Sequence, residues 1–272
     1  MKKIVTIFIL LSIITLSLNG CSSNNEKKDE TEPLIVAMEL TYPPFETKDN
    51  KGKPTGISVD FSKAFAKYIN REIIIQNTSF DGLIPSLQTG EADMVMSSMT
   101  IRDDRKEIVD FSIPYANAML AILTNKDSAV KSIEDLNVAG KKVAVKSGST
   151  GFLYAQNHLK NADIITLADE SACVVEVAQG KADGFIYDQL TIYRNWQKHQ
   201  DTTSAIFIPF QDVEKWGVAV QKGNTKLLKQ LNTFIKKYTK EGGFDTLTNK
   251  YLSEEKKAFD ELKFKWFFDL NE

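Results

Sequence analysis

The sequence predicts an α/β protein of two lobes, each a mixed, largely parallel sheet flanked by helices. From residue 34 onward, short apolar runs typical of strands alternate with amphipathic helical patterns, an order that favours parallel pairing. Leu87–Ser98 (LQTGEADMVMSS) and Val177–Asp188 (VAQGKADGFIYD) also share a helix end, Gly, a charged residue, Ala-Asp and an apolar strand. We interpret this weak internal repeat as two similar lobes within a chain of 272 residues.

The first half of the chain contains three predicted strands and two helices. The strands are predicted at 34–38, 72–76 and 93–98, and the helices at 58–70 and 81–87. Ser58 and Asp81 are candidate N-caps because their side-chain oxygens can accept a first-turn N–H, and Gly90 ends the second helix.

The second half repeats this order. Strands are predicted at 141–148, 162–168 and 182–188, and helices at 149–160, 171–180, 225–240 and 244–252. The chain order then predicts lobe 1 as 34–116 plus 222–272 and lobe 2 as 121–212, with hinges about 117–120 and 213–221. The aromatic residues of KFKWFFDLNE, at the end of the chain, are either a packing strap or a contact with a partner.

The first 33 residues are expected to lie outside both lobes. Lys2 and Lys3 precede an apolar run at 4–18, which is shorter than the roughly 20 residues that span a membrane and is typical of a signal peptide. Leu18-Asn19-Gly20-Cys21 resembles the lipobox of bacterial lipoproteins, so we expect a signal peptide at 1–20 and lipidation of Cys21. The polar segment 21–33 is expected to be a flexible tether. An uncleaved amino-terminal anchor is the alternative.

Charge and cysteine content limit the possible functions. Removing residues 1–20 takes away two of the 34 basic residues, which leaves 32 against 36 acidic ones and a net charge of −4. This balance does not predict nucleic-acid binding. With Cys21 lipidated, only Cys173 remains, and its apolar helical context indicates a buried thiol. His158 and His199 have no metal-ligand spacing, so neither a metal nor a cofactor is expected.

Polar residues follow the apolar strands at equivalent places in the two lobes. Ser97 and Ser98 end one strand and precede Arg102 and Arg105, while Asp188 ends the other. Ligands of open α/β sheets bind outside the carboxyl ends of strands. If the two strand ends face one another, a ligand would lie in the cleft between the lobes.

Residues 34–252 resemble the bacterial extracellular solute-binding proteins, family 3, which serve ABC importers of polar amino acids. The matching stretches are LTYPPFE (40–46), GISVDFSKAFAK (56–67), FDGLIPSLQTGEADMVMSSMTIRDDRKEIVDFSIPY (80–115), KKVAVKSGST (141–150), ADGFIYD (182–188) and WGVAVQKGNTKLLKQLN (216–232). The resemblance implies a two-lobe, periplasmic-binding-protein-like fold of type II with a two-strand hinge. It also implies a monomer that captures a free L-amino acid by hinge closure and delivers it to a permease and ATPase complex. With lipid on Cys21, the protein would sit on the outer face of the cell membrane, as suits a Gram-positive cell.

The resemblance also implies which residues bind the amino-acid head group. Arg105 matches the arginine that binds the ligand carboxylate, since its planar fork can hold two oxygens at once. Ser98 and Thr100 match residues that offer a hydroxyl or a backbone group. Ser149 and Thr150 lie in a turn that opens a helix, where a backbone N–H can meet the same carboxylate.

Asp188 matches the carboxylate that receives the ligand ammonium. Without the resemblance, Asp188 is better explained as the N-cap of the helix that follows it, Ser149 could likewise be only an N-cap, and Arg105 could be a solvated helix charge. Arg102 departs from the family pattern, which has a threonine there, and is interpreted as a rim or surface charge.

Tyr42 and Phe80 match the aromatic walls around the ligand side chain, with core packing as the alternative. Glu39 matches the residue that contacts the far end of the ligand side chain. A carboxylate at that position would favour a cationic or amide tip, and aromatic faces suit a cation. The residues therefore favour arginine or lysine as the ligand, with histidine, glutamine and cystine as alternatives.

Two functions of other classes remain open. One is an exported enzyme on the same fold that resembles cyclohexadienyl dehydratases, for which Glu39 is the candidate acid or base. The other is the ligand-sensing domain of a signalling protein, which is less favoured because no output domain follows Glu272.

Overall fold

A computed structural model describes residues 32–270 of the chain. The predicted signal peptide, Cys21 and all but the end of the predicted tether lie outside the described residues. Within residues 32–270, no helix is long and apolar enough to cross a membrane.

The described chain alternates strands and helices. The strands are β1 Leu34–Met38, β2 Thr47–Lys48, β3 Pro54–Thr55, β4 Ile73–Asn77, β5 Met94–Val95, β6 Val109–Phe111, β7 Ala116–Ala118, β8 Leu120–Asn125, β9 Lys142–Lys146, β10 Asp163–Leu167, β11 Gly184–Asp188, β12 Thr203–Ile206, β13 Glu214–Trp216 and β14 Ala219–Gln221. The α-helices are α1 Ile57–Tyr68, α2 Leu83–Gln88, α3 Asp103–Ile108, α4 Thr150–His158, α5 Glu170–Ala178, α6 Gln189–Lys198, α7 Thr225–Lys240, α8 Gly243–Tyr251 and α9 Ser253–Glu261. Short 3-10 helices lie at Phe80–Gly82 and Glu134–Leu136.

Two five-stranded sheets form the centres of the two lobes. Their strand orders are β4-β1-β5-β14-β6 and β10-β9-β11-β8-β12. In each sheet the first three strands pair in parallel and the last two join antiparallel. Because β5 and β11 hold the same central position, the internal repeat in the sequence does correspond to two similar lobes. Both sheets are mixed, with parallel and antiparallel pairings in equal number.

A third, two-stranded sheet joins the lobes. It consists of β7 and β13, which pair antiparallel with Ala116 opposite Trp216. The strand that follows, β14, pairs with β5 and β6 in the first sheet. The hinge predicted at 213–221 is therefore too long, because residues 219–221 are part of lobe 1.

Two predicted N-caps are wrong, because tertiary contacts take the side chains elsewhere. Helix α1 begins after Gly56, whose φ of 120° and close approach to the Phe45 carbonyl (an added Cβ would lie 2.4 Å from that oxygen) require glycine. Ser58 lies inside the helix, and its hydroxyl donates to Glu46 Oε2 at 2.5 Å. Asp81 makes no cap and instead accepts a hydrogen bond from Ser147 Oγ at 2.9 Å.

Cys173 lies fully buried in the core of the second lobe. Burial raises the pKa of its thiol to about 12, so the thiolate that nucleophilic chemistry needs does not form near neutral pH. The prediction of a buried thiol is confirmed.

The aromatic end of the chain packs against the rest of the protein. Phe267 is fully buried, and its ring centroid lies 5.5 Å from Phe45 and 5.8 Å from Trp216. Its carbonyl accepts a 2.6 Å hydrogen bond from the Asn117 N–H in the connection between lobes. Phe264 contacts Phe207, which follows β12 of the second lobe, at 5.0 Å. Of the two alternatives for this segment, the structure supports the packing strap.

Candidate functional site

All nine predicted ligand-binding side chains line one cavity between the lobes. They are Glu39, Tyr42, Phe80, Ser98, Thr100, Arg105, Ser149, Thr150 and Asp188. Most of them follow the carboxyl ends of parallel strands, namely β1, β4 and β5 in one lobe and β9 and β11 in the other. Because these strand ends point toward one another across the connection, residues that are far apart in sequence meet at one place.

Arg105 crosses the gap between the lobes. It lies in α3 and is 5% exposed. Its guanidinium donates to the Thr100 carbonyl at 2.8 Å in its own lobe and to the Gly148 carbonyl at 3.0 Å in the other. These bonds use two of its five N–H groups. Burial lowers the pKa of Arg105 to about 10, which still leaves the side chain charged near neutral pH.

The turn after β9 presents a helix amino terminus to the cavity. Ser149 is the N-cap of α4, because its hydroxyl oxygen accepts the Phe152 N–H at 3.1 Å. Gly148 has a φ of 69°, a left-handed conformation that glycine adopts readily. Thr150 is the first residue of α4, and the first N–H groups of a helix have no acceptor within that helix.

Asp188 is an N-cap, which is one of the two roles that the sequence left open, and it turns a second oxygen toward the cavity. One oxygen, Oδ1, caps α6 by accepting the N–H groups of Leu190 at 3.0 Å and Thr191 at 3.1 Å. The other, Oδ2, is buried with no hydrogen-bond partner among residues 32–270. Burial raises the pKa of Asp188, and its hydrogen bonds lower it. The Tyr42 hydroxyl, on the same cavity, is likewise buried and makes no hydrogen bond in this part of the chain, although it lies close enough to Asp188 to lower the pKa of that carboxyl group.

Glu46 is a wall of the cavity that the sequence did not identify. It is 1% exposed and accepts hydrogen bonds from the hydroxyls of Ser58, Ser98 at 3.2 Å and Ser97 at 3.4 Å. Burial raises the pKa of Glu46 to about 8, although the hydrogen bonds from Ser58 and Ser98 lower it. Ser98 has a left-handed backbone, with a φ of 47°, and its hydroxyl points to Glu46.

Lys146 is the second unpredicted group, and it changes the chemistry around Glu39. It ends β9 with only 1% exposure and forms buried ion pairs with Glu39 of the opposite lobe and, at 3.2 Å, with Glu170. Burial opposes the charge of Lys146, but the two carboxylates outweigh burial and raise its pKa above the ordinary value. Glu39 therefore has a cationic partner supplied by the protein itself.

The aromatic side chains at the cavity have different surroundings. Phe80 lies against two cations of the protein, with its ring centre 5.5 Å from Arg105 and 5.4 Å from Lys146. Tyr42 stacks on Phe45 at 5.4 Å and meets Trp216 edge-on at 6.3 Å. Both of the predicted aromatics line the cavity and also pack against their neighbours.

Glu214 is a third unpredicted group, in β13 of the connection between lobes. Its carboxylate accepts hydrogen bonds from the hydroxyls of Thr100 at 2.8 Å and Thr150 at 3.0 Å. Arg102, by contrast, pairs with its neighbour Asp104 at 2.7 Å and does not line this cavity.

A weak signal for Lys146 was present in the sequence. KKVAVKSG (141–148) ends an apolar strand with a lysine at the same kind of position where the other strands end in Glu39 and Asp188. Glu46 and Glu214 gave no such signal, since neither ends a strand of the two central sheets.

Known proteins resemble this chain over most of its length. It is 33% identical over 227 residues to the L-cystine-binding protein TcyJ of Escherichia coli (strain K12), and the aligned region covers 83% of this chain and 84% of TcyJ. A crystal structure of the ancestral amino acid-binding protein AncCDT-1, a precursor of cyclohexadienyl dehydratase, is 38% identical with a TM-score of 0.74, covering 80% of this chain and 94% of that one. An ancestral arginine-binding protein bound to arginine is 33% identical with a TM-score of 0.76, covering 82% and 100%. Since the sequence model for bacterial extracellular solute-binding proteins, family 3, also matches residues 34–254, the chain belongs to this family.

Proposed function

We propose that the protein is an extracytoplasmic receptor that captures a polar L-amino acid and delivers it to the permease of an ABC importer. One observation carries the proposal. The guanidinium of Arg105 and the unpartnered oxygen of Asp188 line the same cavity from opposite lobes. A free amino acid is a zwitterion, with one group complementary to each of these residues.

The head group of the ligand would use donors and acceptors that the protein leaves available. Its carboxylate would meet Arg105 and the first-turn N–H groups of α4, where the helix dipole favours negative charge. Its ammonium would meet Asp188 Oδ2. A buried carboxylate oxygen without a partner is unfavourable, so an incoming ammonium would offset the desolvation cost of that oxygen.

For the ligand side chain, the structure supports a neutral polar group better than a basic one. The preference for arginine or lysine rested on Glu39 being available, but Lys146 already pairs with it and lies over Phe80. An amide such as that of glutamine, or the second polar end of cystine, can bond with either charge. A basic ligand is the second candidate, because Glu39 and Glu170 together outnumber Lys146 by one formal charge.

Capture would proceed by closure of the two lobes about the β7–β13 connection. Arg105 bonds to Gly148, Lys146 to Glu39 and Ser147 to Asp81, so each pair joins one lobe to the other. A ligand that contacts both lobes binds the closed form better than the open one and shifts the equilibrium toward it.

An enzyme related to cyclohexadienyl dehydratase is the rival proposal. Glu39 would have to act as the acid or base, yet its carboxylate is already paired with Lys146. Release of phenylpyruvate from prephenate by the purified protein would favour this rival.

We also propose that the protein is a monomer anchored through lipid on Cys21 to the outer face of a Gram-positive cell membrane. The proposal rests on LNGC (18–21) and on the polar segment that follows it. We expect Cys21→Ala to release the protein into the medium and to abolish the lipid mass on its amino-terminal peptide in mass spectrometry. An unmodified Cys21 in membrane-bound protein would contradict the anchor.

A thermal-shift screen against single L-amino acids tests the receptor proposal. The chain from residue 22 contains every described element and is suited to the assay. A ligand at a thousand times its dissociation constant adds about 4 kcal/mol of apparent stability, which raises the melting temperature by several degrees. We expect such a rise with glutamine or cystine. A rise with arginine or lysine would support the second candidate, and no rise with any amino acid would contradict the receptor function.

A further inference from the structure

Glu214 joins the two lobes beside the proposed carboxylate site. A single oxygen, Oε2, accepts the hydroxyl of Thr100 at 2.8 Å and that of Thr150 at 3.0 Å. Thr100 follows β5 of the first lobe, whereas Thr150 opens α4 of the second. The two hydroxyls can share this acceptor only when the lobes are close together.

The carboxylate is itself held in place. Its other oxygen, Oε1, accepts Gln211 Nε2 at 2.7 Å, and its strand pairs with β7. Burial raises the pKa of Glu214, while the three side-chain hydrogen bonds and the nearby charge of Arg105 lower it. Glu214, Thr100 and Thr150 line the cavity and also a wider cleft on the other side of them, so they form the wall between the two spaces.

Proton counting restricts what these threonines can do for a ligand. A hydroxyl has one proton to donate, and both threonines donate theirs to Glu214. Neither hydroxyl can then donate to the carboxylate of an amino acid. That carboxylate must instead be bound by Arg105 and by backbone N–H groups.

We infer that Glu214 is a positioning residue for amino-acid binding. It orients Thr100 and Thr150 so that their backbone N–H groups face the ligand carboxylate, and it stabilises the closed lobes by accepting one hydroxyl from each. This inference rests on the proposed function. It adds that closure depends on a carboxylate in the connection between lobes that need not contact the ligand.

The variants Glu214→Ala and Glu214→Gln separate positioning from a general structural role. Alanine removes the shared acceptor and with it two hydrogen bonds that form only in the closed protein. We therefore expect the ligand to dissociate about 10–100 times faster, which is the effect of losing hydrogen bonds to a charged group. The association rate should change far less. Glutamine keeps an acceptor oxygen and should restore most of the lost affinity. Asp212→Ala, an exposed neighbour in the same segment, is the matched control and should behave as the wild type.

A double variant links the effect to the threonine. Thr150→Val removes one of the two donors, so its effect on dissociation should not add to that of Glu214→Ala. Stopped-flow fluorescence measures the association and dissociation rates of the amino acid found in the screen. The melting temperature of each ligand-free variant is measured separately.

The outcomes are distinct. Three results would overturn the inference while leaving the receptor function intact. The first is a wild-type dissociation rate in Glu214→Ala, and the second is an additive effect of Glu214→Ala and Thr150→Val. The third is a loss of affinity in Glu214→Gln as large as that in Glu214→Ala. A wild-type protein that binds no amino acid would overturn the receptor function, and the inference with it.

Discussion

Replacing Arg105 with alanine is expected to weaken amino-acid binding by about 2–5 kcal/mol, since it removes one partner of a buried, hydrogen-bonded charge pair. The loss corresponds to roughly 30-fold or more in the dissociation constant. The side chain is 5% exposed and also donates to Gly148 of the other lobe, so both the proposed ligand contact and a bond between lobes are lost. Isothermal calorimetry with the amino acid identified in the screen measures the effect.

Two further variants test whether the loss of affinity comes from the guanidinium group at position 105. Arg105→Lys keeps the charge but loses the planar fork, so we expect an intermediate affinity. Arg102→Ala is the comparison variant, because Arg102 pairs with the exposed Asp104 and lines the wider cleft rather than the proposed ligand cavity, so its loss should weaken binding by less than about 1 kcal/mol. Wild-type affinity in Arg105→Ala would exclude the assigned carboxylate site.

Replacing Lys146 with methionine is expected to change both stability and ligand preference. The variant leaves Glu39 and Glu170 buried without their cation, and removing one partner of a buried ion pair typically destabilises by about 3–5 kcal/mol. A cationic ligand side chain could then take the place of the lysine ammonium. We therefore expect arginine and lysine to gain at least about tenfold in affinity relative to glutamine or cystine, or about 1.4 kcal/mol.

Chemical denaturation measures the stability of this variant, and the amino-acid screen measures its preference. Lys141→Met is the control. Lys141 precedes the same strand and pairs with Asp183 at 2.7 Å, but its side chain is 29% exposed. Its loss should therefore change the free energy of unfolding by no more than about 1 kcal/mol. An unchanged order of ligand affinities in Lys146→Met would show that Lys146 does not determine specificity.

Much of the fold was predictable because local pattern and tertiary structure agree. The strand at Leu34–Met38 and the helix at Thr225–Lys240 have the predicted bounds, since the first is an unbroken apolar run and the second carries a clear helical period. The internal repeat correctly indicated two lobes, because β5 and β11 occupy the same place in their sheets. The nine candidate residues lie around one cavity because strand ends of parallel sheets gather at one edge.

The errors share one physical cause. Ser58 and Asp81 have the chemistry of N-caps, but in the folded chain each bonds to a side chain outside its own helix: Ser58 to Glu46 and Asp81 to Ser147. The strand β14 was mistaken for hinge because its pairing with β5 and β6 depends on neighbours that adjacent residues do not reveal.

The sequence by itself determined the α/β class, the two lobes, the strand-end positions of the candidate residues and the family resemblance. The fold class, the lobes and the strand ends follow from periodicity and spacing along the chain, which local physics sets, whereas the resemblance rests on matching stretches of sequence. Only the tertiary structure decided which charges neutralise one another. Glu39 meets Lys146 across 107 positions of chain, and Thr100 meets Glu214 across 114. Because electrostatic pairing in a buried site depends on distance in space and on exclusion of water, the chemistry of the cavity emerges only when the two lobes come together.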